Sequence, residues 1–251
     1  PFSGARGAAA VDLSELNDAQ YEAVTTVDGP VLVIAGAGSG KTRTLVYRVA
    51  YLMQHGIPPE KILLLTFTRK AAQEMLWRSG RLLNDSCGRV VGGTFHGTAN
   101  MLLRRYGACL GFASNFTIID RADAEGIINL LKSSLGLGGA SKQFPSKRVL
   151  ISMISGAVNK SMELEDLVFE QYAHLSEHLD DILRLQRHYG DFKRDNGLMD
   201  YDDLLVNWKR MLQESEEVRR LISERFSHIM VDEYQDTNLI QADIVRLAAS
   251  T

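Results

Sequence analysis

From Asn17 onward, short apolar runs alternate with stretches whose apolar residues recur at helical spacing. The runs at 31–35, 62–67 and 90–94 have the length and composition of buried strands. The segments that follow them, 41–54, 69–83 and 96–107, read as amphipathic helices. In the first of these, Leu45, Val49, Leu52 and Met53 fall on the stripe that one helix face buries. Strand and helix in regular succession predict an α/β fold, with a parallel sheet flanked by helices on both faces. Between about residues 108 and 195 the strand runs stop. Ile127, Leu130 and Leu131, then Val149 to Val158, then Glu170 to Arg194 predict an inserted all-helical subdomain, with a loop at Gly136 to Gly139. The alternation resumes with a helix over 202–213 (Leu204, Trp208, Met211, Leu212), a buried strand at 228–233, and a last helix bearing Ile240, Ile244, Leu247 and Ala248. The first residues lack any periodicity and are expected to form a flexible tail over 1–13. The sheet domain is then expected from 14–107 and 196–251, and the insert from 108–195.

Composition narrows the class. With 251 residues, 45% apolar and 24% charged, the chain is long enough for one large or two small globular domains. A formal charge of −3 exerts no general pull on nucleic acid, so any such contact must come from a local patch or from stacking. Cys87 and Cys109 fit no disulfide or metal spacing, which favours a reducing compartment. No apolar run reaches the roughly 18 residues of a membrane span, and the N-terminus lacks the apolar core of a signal peptide. A cytoplasmic, monomeric protein without a membrane partner is expected.

The strongest chemical signal follows the first apolar run. PVLVIA runs into AGAGSGKT, Ala35 to Thr42, the two sharing Ala35. Its small residues Ala35, Gly36, Ala37, Gly38, Ser39 and Gly40 permit a tight turn whose N–H groups point at phosphate oxygens, and a helix then presents its positive dipole end to the same anion. Lys41 supplies a cation to the β- and γ-phosphates of a nucleoside triphosphate, and Thr42 a hydroxyl to Mg²⁺. Ala35 stands where the strict pattern has glycine; that position opens the turn without facing the phosphates, so a methyl group there is expected to be tolerated. The bland reading is a glycine-rich turn that binds nothing.

Hydrolysis needs an acidic group for the metal and a base for water. IMVDEYQDT provides both: Asp232 at a strand end can reach Mg²⁺, and Glu233 beside it can polarise the attacking water. A solvated acidic strand end is the plain alternative, weakened by the P-loop expected on the same sheet.

The segments LNDAQYEAV (Leu16–Val24), AGAGSGKTRTL (Ala35–Leu45), LLLTFTRKAAQEM (Leu63–Met75), GGTFHGTANMLLRRYG (Gly92–Gly107), DYDDLL (Asp200–Leu205) and VDEYQDTNLIQADIVRLAA (Val231–Ala249) together resemble the N-terminal motor region of superfamily 1 helicases of the UvrD, Rep and PcrA type. The resemblance runs in order over nearly the whole chain from Leu16. It implies a RecA-like P-loop NTPase domain with an inserted helical subdomain called 1B, ATP and Mg²⁺ as cofactors, and 3′ to 5′ movement on DNA. By resemblance Gln20 reads the adenine edge, although its spacing from Asn17 also fits a helix capping box. Arg43 resembles an arginine that packs near base or ribose, with an ordinary surface arginine as the alternative. Gln235 resembles a residue coupling the γ-phosphate to the DNA side, and a structural role remains open.

For single-stranded DNA, Thr66, Phe67, Thr68 and Lys70 leave a strand and enter a helix, which offers hydroxyls, amides, a cation and an aromatic to a polynucleotide. Phe67 by propensity alone fits a core position equally. Thr94, Phe95 and His96 repeat the strand-end arrangement, and His96 resembles a histidine that contacts the DNA backbone. Asp202 and Asp203 read as carboxylates favoured by a helix N-terminus. In the family the chain continues through a further strand and a second motor domain with cleft arginines, so this chain is expected to be a fragment whose partner is that C-terminal motor domain. The absent strand would lie between the P-loop strand and the acidic strand, leaving both short of ladder partners. An ATP-driven DNA translocase and a nucleotide-dependent DNA-binding module without motor activity both remain open, whereas a small-molecule P-loop kinase leaves TFTRKAA and GTFH unexplained.

Overall fold

The structure, a computed structural model, describes residues 11–83, 87–137 and 144–250. Residues 1–10 of the expected tail, and Gly138 and Gly139 of the expected loop, lie outside the described residues. In chain order the elements are α1 (Asp18–Thr25), α2 (Lys41–Gln54), β1 (Ile62–Thr66), α3 (Arg69–Leu83), β2 (Val91–Thr94), α4 (Phe95–Tyr106), β3 (Thr117–Ile118), α5 (Arg121–Ser134), α6 (Lys147–Lys160), α7 (Leu164–Gln171), α8 (Leu179–Asp195), β4 (Leu198–Met199), α9 (Tyr201–Glu214), α10 (Glu216–Arg225), β5 (His228–Val231) and α11 (Leu239–Ala249). The chain gathers into two compact units. One runs to Thr98 and includes Arg220–Asp236; the other comprises Ala99–Arg219 and Thr237–Ser250.

The first unit is organised by β1, whose five residues ILLLT are all buried, as an apolar run without alternation requires of a central parallel strand. Parallel strands flank it on both sides, in the order β2-β1-β5. Ile62 and Leu64, two residues apart and so on one face, join Met230 of β5, Val46, Val49, Ala50 and Leu52 of α2 and Met75 of α3 in a single apolar cluster. Ser79 on the inner face of α3 is buried but satisfied, its hydroxyl donating to Met75 O at 2.9 Å. Val11 is also buried, and its amide donates to Gln54 Oε1 at 3.1 Å, so the chain packs on α2 from that residue onward.

One expected strand is corrected. Residues 31–35 form no ladder, and their apolar side chains face outward, Ile34 being 88% exposed. β2 and β5 pair only with β1, so the outer edge of β5 is open among the described residues, and the run 31–35 is not laddered onto it, as the strand expected to be missing between the P-loop run and the acidic strand would leave it. Without a neighbour, extended backbone makes no ladder hydrogen bonds and buries neither face.

The second unit is mainly helical. Ile128, Leu150, Met153, Leu167, Val168, Ile182, Leu185 and Tyr189, drawn from α5, α6, α7 and α8, form its core. The two ends of this helical run meet in a short parallel ladder of β3 and β4, with Thr117 N donating to Gly197 O and Ile119 N to Met199 O, each at 2.9 Å. Two-residue strands carry no readable period, and neither they nor α10 are anticipated from the pattern. Cys109 is a free, exposed thiol. Among the described residues no helix is long and apolar enough to cross a membrane.

Candidate functional site

Helix α2 starts at Lys41, directly after Gly40 in the left-handed conformation (φ 89°). Gly38 shares that conformation at φ 76°, where a Cβ strains the backbone. Ala35, which replaces the glycine of the strict pattern, is not among the described residues with positive φ, so its methyl group meets no such strain. Gly40 lends no side chain to cap α2, and the helix therefore begins with amides that no cap satisfies. Those amides and the dipole end suit an anion.

Two side chains close on this loop from elsewhere in the first unit. Gln20 Nε2 donates to Ser39 O at 3.0 Å, while Gln20 Oε1 accepts from Asn17 N at 3.2 Å. The capping box that the Asn17 spacing suggests is formed, and the other end of the same amide, Nε2, is held by the loop. A methyl group at Gly40 would meet Gln20 Nε2 at 2.7 Å and push that flexible amide off the loop. Arg43 is ion-paired with Glu15 and lies 5.4 Å from the Tyr47 ring, and the Tyr47 hydroxyl donates to the same carboxylate at 3.1 Å. Glu15 escapes sequence reasoning, since nothing marks a residue 28 positions away from the arginine it holds.

The acidic pair sits where β5 ends. The amide of Asp232 donates to Leu65 O at 2.9 Å, extending the β1–β5 ladder by one residue. Its carboxyl is buried, and burial followed by the charge of Glu233 raises it above the ordinary carboxylate value against the pull of Lys41. Glu233 adopts φ 51°, uncommon for a residue with a Cβ, which turns the chain out of the strand. Lys41 Nζ lies 3.7 Å from Glu233 Oε2 and donates to Ala35 O at 3.3 Å, and Gln235 Nε2 donates to the same Glu233 oxygen. Lys41 and Gln235 are thus gathered around the Glu233 carboxylate.

Thr42, second residue of α2, and Asp232 offer a hydroxyl and a carboxylate, hard oxygen donors that suit Mg²⁺. Among the described residues no group of three or more His, Cys, Asp or Glu is placed to hold a metal.

Sheet register arranges the remaining candidates. Thr66 of β1 pairs with Thr94 of β2, and Leu65 with Val231, so the carboxyl ends of three parallel strands deliver Thr94, Thr66 and Asp232 in one row. Ligands of open α/β sheets bind at this edge. Phe67 is 39% exposed, its ring 6.3 Å from that of buried Phe95. Thr66 is buried and its hydroxyl donates to Thr68 O at 2.8 Å, while Thr68 Oγ1 accepts from Ala71 N at 3.1 Å and caps α3. Thr94 Oγ1 does the same for α4, accepting from Gly97 N at 3.1 Å. Lys70 is exposed on the first turn of α3, and His96 is half-buried on the first turn of α4.

Residues 16–251 match the family model described as UvrD/REP helicase N-terminal domain. The chain is 36% identical over 242 residues to the ATP-dependent DNA helicase PcrA of Staphylococcus aureus, covering 95% of this chain and 32% of that protein. It is 37% identical over 236 residues to the PcrA of Leuconostoc citreum, covering 93% and 31%, and 36% identical over 241 residues to that of Bacillus subtilis, covering 94% and 31%. The chain therefore spans about a third of the length of these relatives.

Proposed function

Because the chain belongs to the UvrD/REP helicase N-terminal domain family, we propose that it is the ATP- and single-stranded-DNA-binding part of an ATP-dependent DNA helicase that moves 3′ to 5′. The observation that carries this reading is the meeting of the P-loop lysine and the acidic strand end, with Lys41 Nζ 3.7 Å from Glu233 Oε2. Two residues 192 positions apart in sequence converge where a terminal phosphate and its attacking water would have to lie. Residues 14–107 and 196–251 form the motor domain in this proposal, and 108–195 the inserted helical subdomain.

Lys41 moves from Glu233 to the β- and γ-phosphates when ATP binds, which frees the Glu233 carboxylate to orient water. The uncapped amides of α2 and of Gly36 to Gly40 hold phosphate oxygens. Thr42 and Asp232 would hold Mg²⁺, whose charge would offset that of the phosphates. Gln235 holds Glu233 in place, Gln20 reaches the adenine edge, and Arg43 leaves Glu15 to pack near the base or ribose. Single-stranded DNA crosses the strand ends against Phe67, Thr68, Lys70, Thr94 and His96, with Thr66 shaping the turn beneath.

Calorimetry with Mg·ATP tests the assignment. Lys41→Ala removes a charge-assisted phosphate contact, a loss of roughly 1.5–3 kcal/mol or about tenfold to a hundredfold in affinity. Glu233→Gln removes the competitor of the phosphates for Lys41 and binds at least as tightly as the wild type. Equal affinity of Lys41→Ala and wild type would sink the nucleotide site.

A further inference from the structure

Helix α3 presents two unlike faces. Ala72, Met75 and Ser79 are buried, whereas Lys70, Gln73, Glu74, Trp77, Arg78 and Arg81 are exposed. At 3.6 residues per turn Lys70, Trp77 and Arg81 stand in one line, about 16 Å from first to last. Trp77 is 60% exposed, the largest side chain on a surface that is otherwise charged or amide-bearing. The Arg81 guanidinium lies 5.0 Å from its ring, and Arg78 pairs with Glu74, the one carboxylate of the stripe. With Arg69, this face carries four cations against a single acid on a chain whose net charge is −3. A protein-docking core is apolar and depleted of charge. An aromatic ring stacked against arginine among unlike-spaced cations is the chemistry that holds a polynucleotide, base on ring and phosphate on cation.

We propose that the outer face of α3 is a second binding face for single-stranded DNA, using Trp77 and Arg81, continuous along the helix with Lys70. It rests on the reading of Phe67 and Lys70 as DNA contacts, because α3 begins two residues after Phe67 and would carry the strand onward from there. Trp77 stacks a base on the ring face that Arg81 leaves open, and Arg81 meets the adjoining phosphate. The low overall charge of the chain then ceases to be an obstacle, since the positive surface is local.

Intrinsic fluorescence with thymidine oligonucleotides of roughly four and twelve nucleotides, the range of single-strand site sizes, tests the face. Trp208 is only 1% exposed, so an emission change on binding reports Trp77, and Trp77→Phe identifies it by subtraction. Trp77→Ala is expected to weaken binding of the longer oligonucleotide roughly fivefold to a hundredfold, with little effect on the shorter. Trp77→Phe restores most of that loss, and Arg81→Gln lowers the salt slope by about one. Phe67→Ala weakens both lengths. If Phe67→Ala weakens binding while Trp77→Ala and Arg81→Gln leave both lengths unchanged, the α3 face is overturned and the strand-end reading stands. Failure of wild type to bind either length overturns both. Trp77 emission that follows protein concentration but not oligonucleotide assigns the face to a protein contact and overturns the proposal as well.

Discussion

Lys193 in the helical unit is shared by two carboxylates, lying 2.6 Å from Asp200 Oδ2 and 2.6 Å from Asp203 Oδ2. Asp200 caps α9, with Asp203 completing a capping box, and the Tyr189 hydroxyl donates to Asp200 at 2.9 Å. One cation cannot balance two acids in a buried setting. Burial works against ionisation of Asp200, but Lys193, the Asp203 amide and Tyr189 outweigh it, and that carboxyl falls below its ordinary value. For Asp203 burial prevails over Lys193, and its carboxyl is pushed up to about 6. A carboxyl raised on folding contributes stability that is full below the ordinary value and lost as pH rises through about 6. Asp203→Asn keeps the cap acceptor and removes the charge. Its stability in urea should exceed that of wild type at pH 8 by on the order of 1–2 kcal/mol, with the gap narrowing as pH falls through about 6 and closing below the ordinary carboxylate value, at about pH 3.5. A gap independent of pH would show that Lys193 already neutralises both carboxylates. At the nucleotide site, Glu233→Gln in a full-length relative-sized protein should abolish turnover while sparing ATP binding. A variant that loses nucleotide affinity and keeps its rate would make Glu233 a binding residue.

Elements differ in how much of their formation is local. The helices α2 and α3 are legible because their apolar residues recur at helical spacing; of the stripe read in α2, Val49 and Leu52 are buried in the cluster on β1, while Leu45 and Met53 are only half-buried at its margin. The caps of α1, α9 and α11, Asn17, Asp200 and Asn238, are equally local, each closing a box with the residue three positions on. Strands are another matter. The run 31–35 and β1 look alike as apolar stretches, yet only β1 has neighbours on both edges, and it alone is buried. Leu64→Ala, at the centre of the sheet and inside the α2–α3 cluster, should cost roughly 2–5 kcal/mol, read from denaturant midpoints. Leu32→Ser in the unpaired run should shift the midpoint within about 0.5 kcal/mol, as exposed positions do. A large loss at Leu32 would show that 31–35 is packed after all.

On the scale of the whole molecule, the described residues contain one P-loop and one acidic strand end, and the chain spans about a third of its PcrA relatives. Unwinding needs two bodies that close on ATP and open after hydrolysis. The 251-residue chain is therefore expected to show no strand displacement and a weak DNA-stimulated ATPase. An arginine supplied across a cleft is worth on the order of 10³–10⁵ in related phosphoryl transfer. Robust unwinding by the purified chain would require a second motor element within it. The sequence alone determined the parallel α/β class, the helices whose faces repeat, and the glycine turn leading into Lys41, because periodicity, capping and left-handed turns are decided by neighbours along the chain. Tertiary structure alone decided that 31–35 stays outside the sheet, that β3 and β4 tie off the helical run, that Gln20 serves cap and loop together, and that Lys41 meets Glu233. Each of those depends on which distant backbone or charge arrives alongside, and no local pattern encodes a partner so far away in the chain.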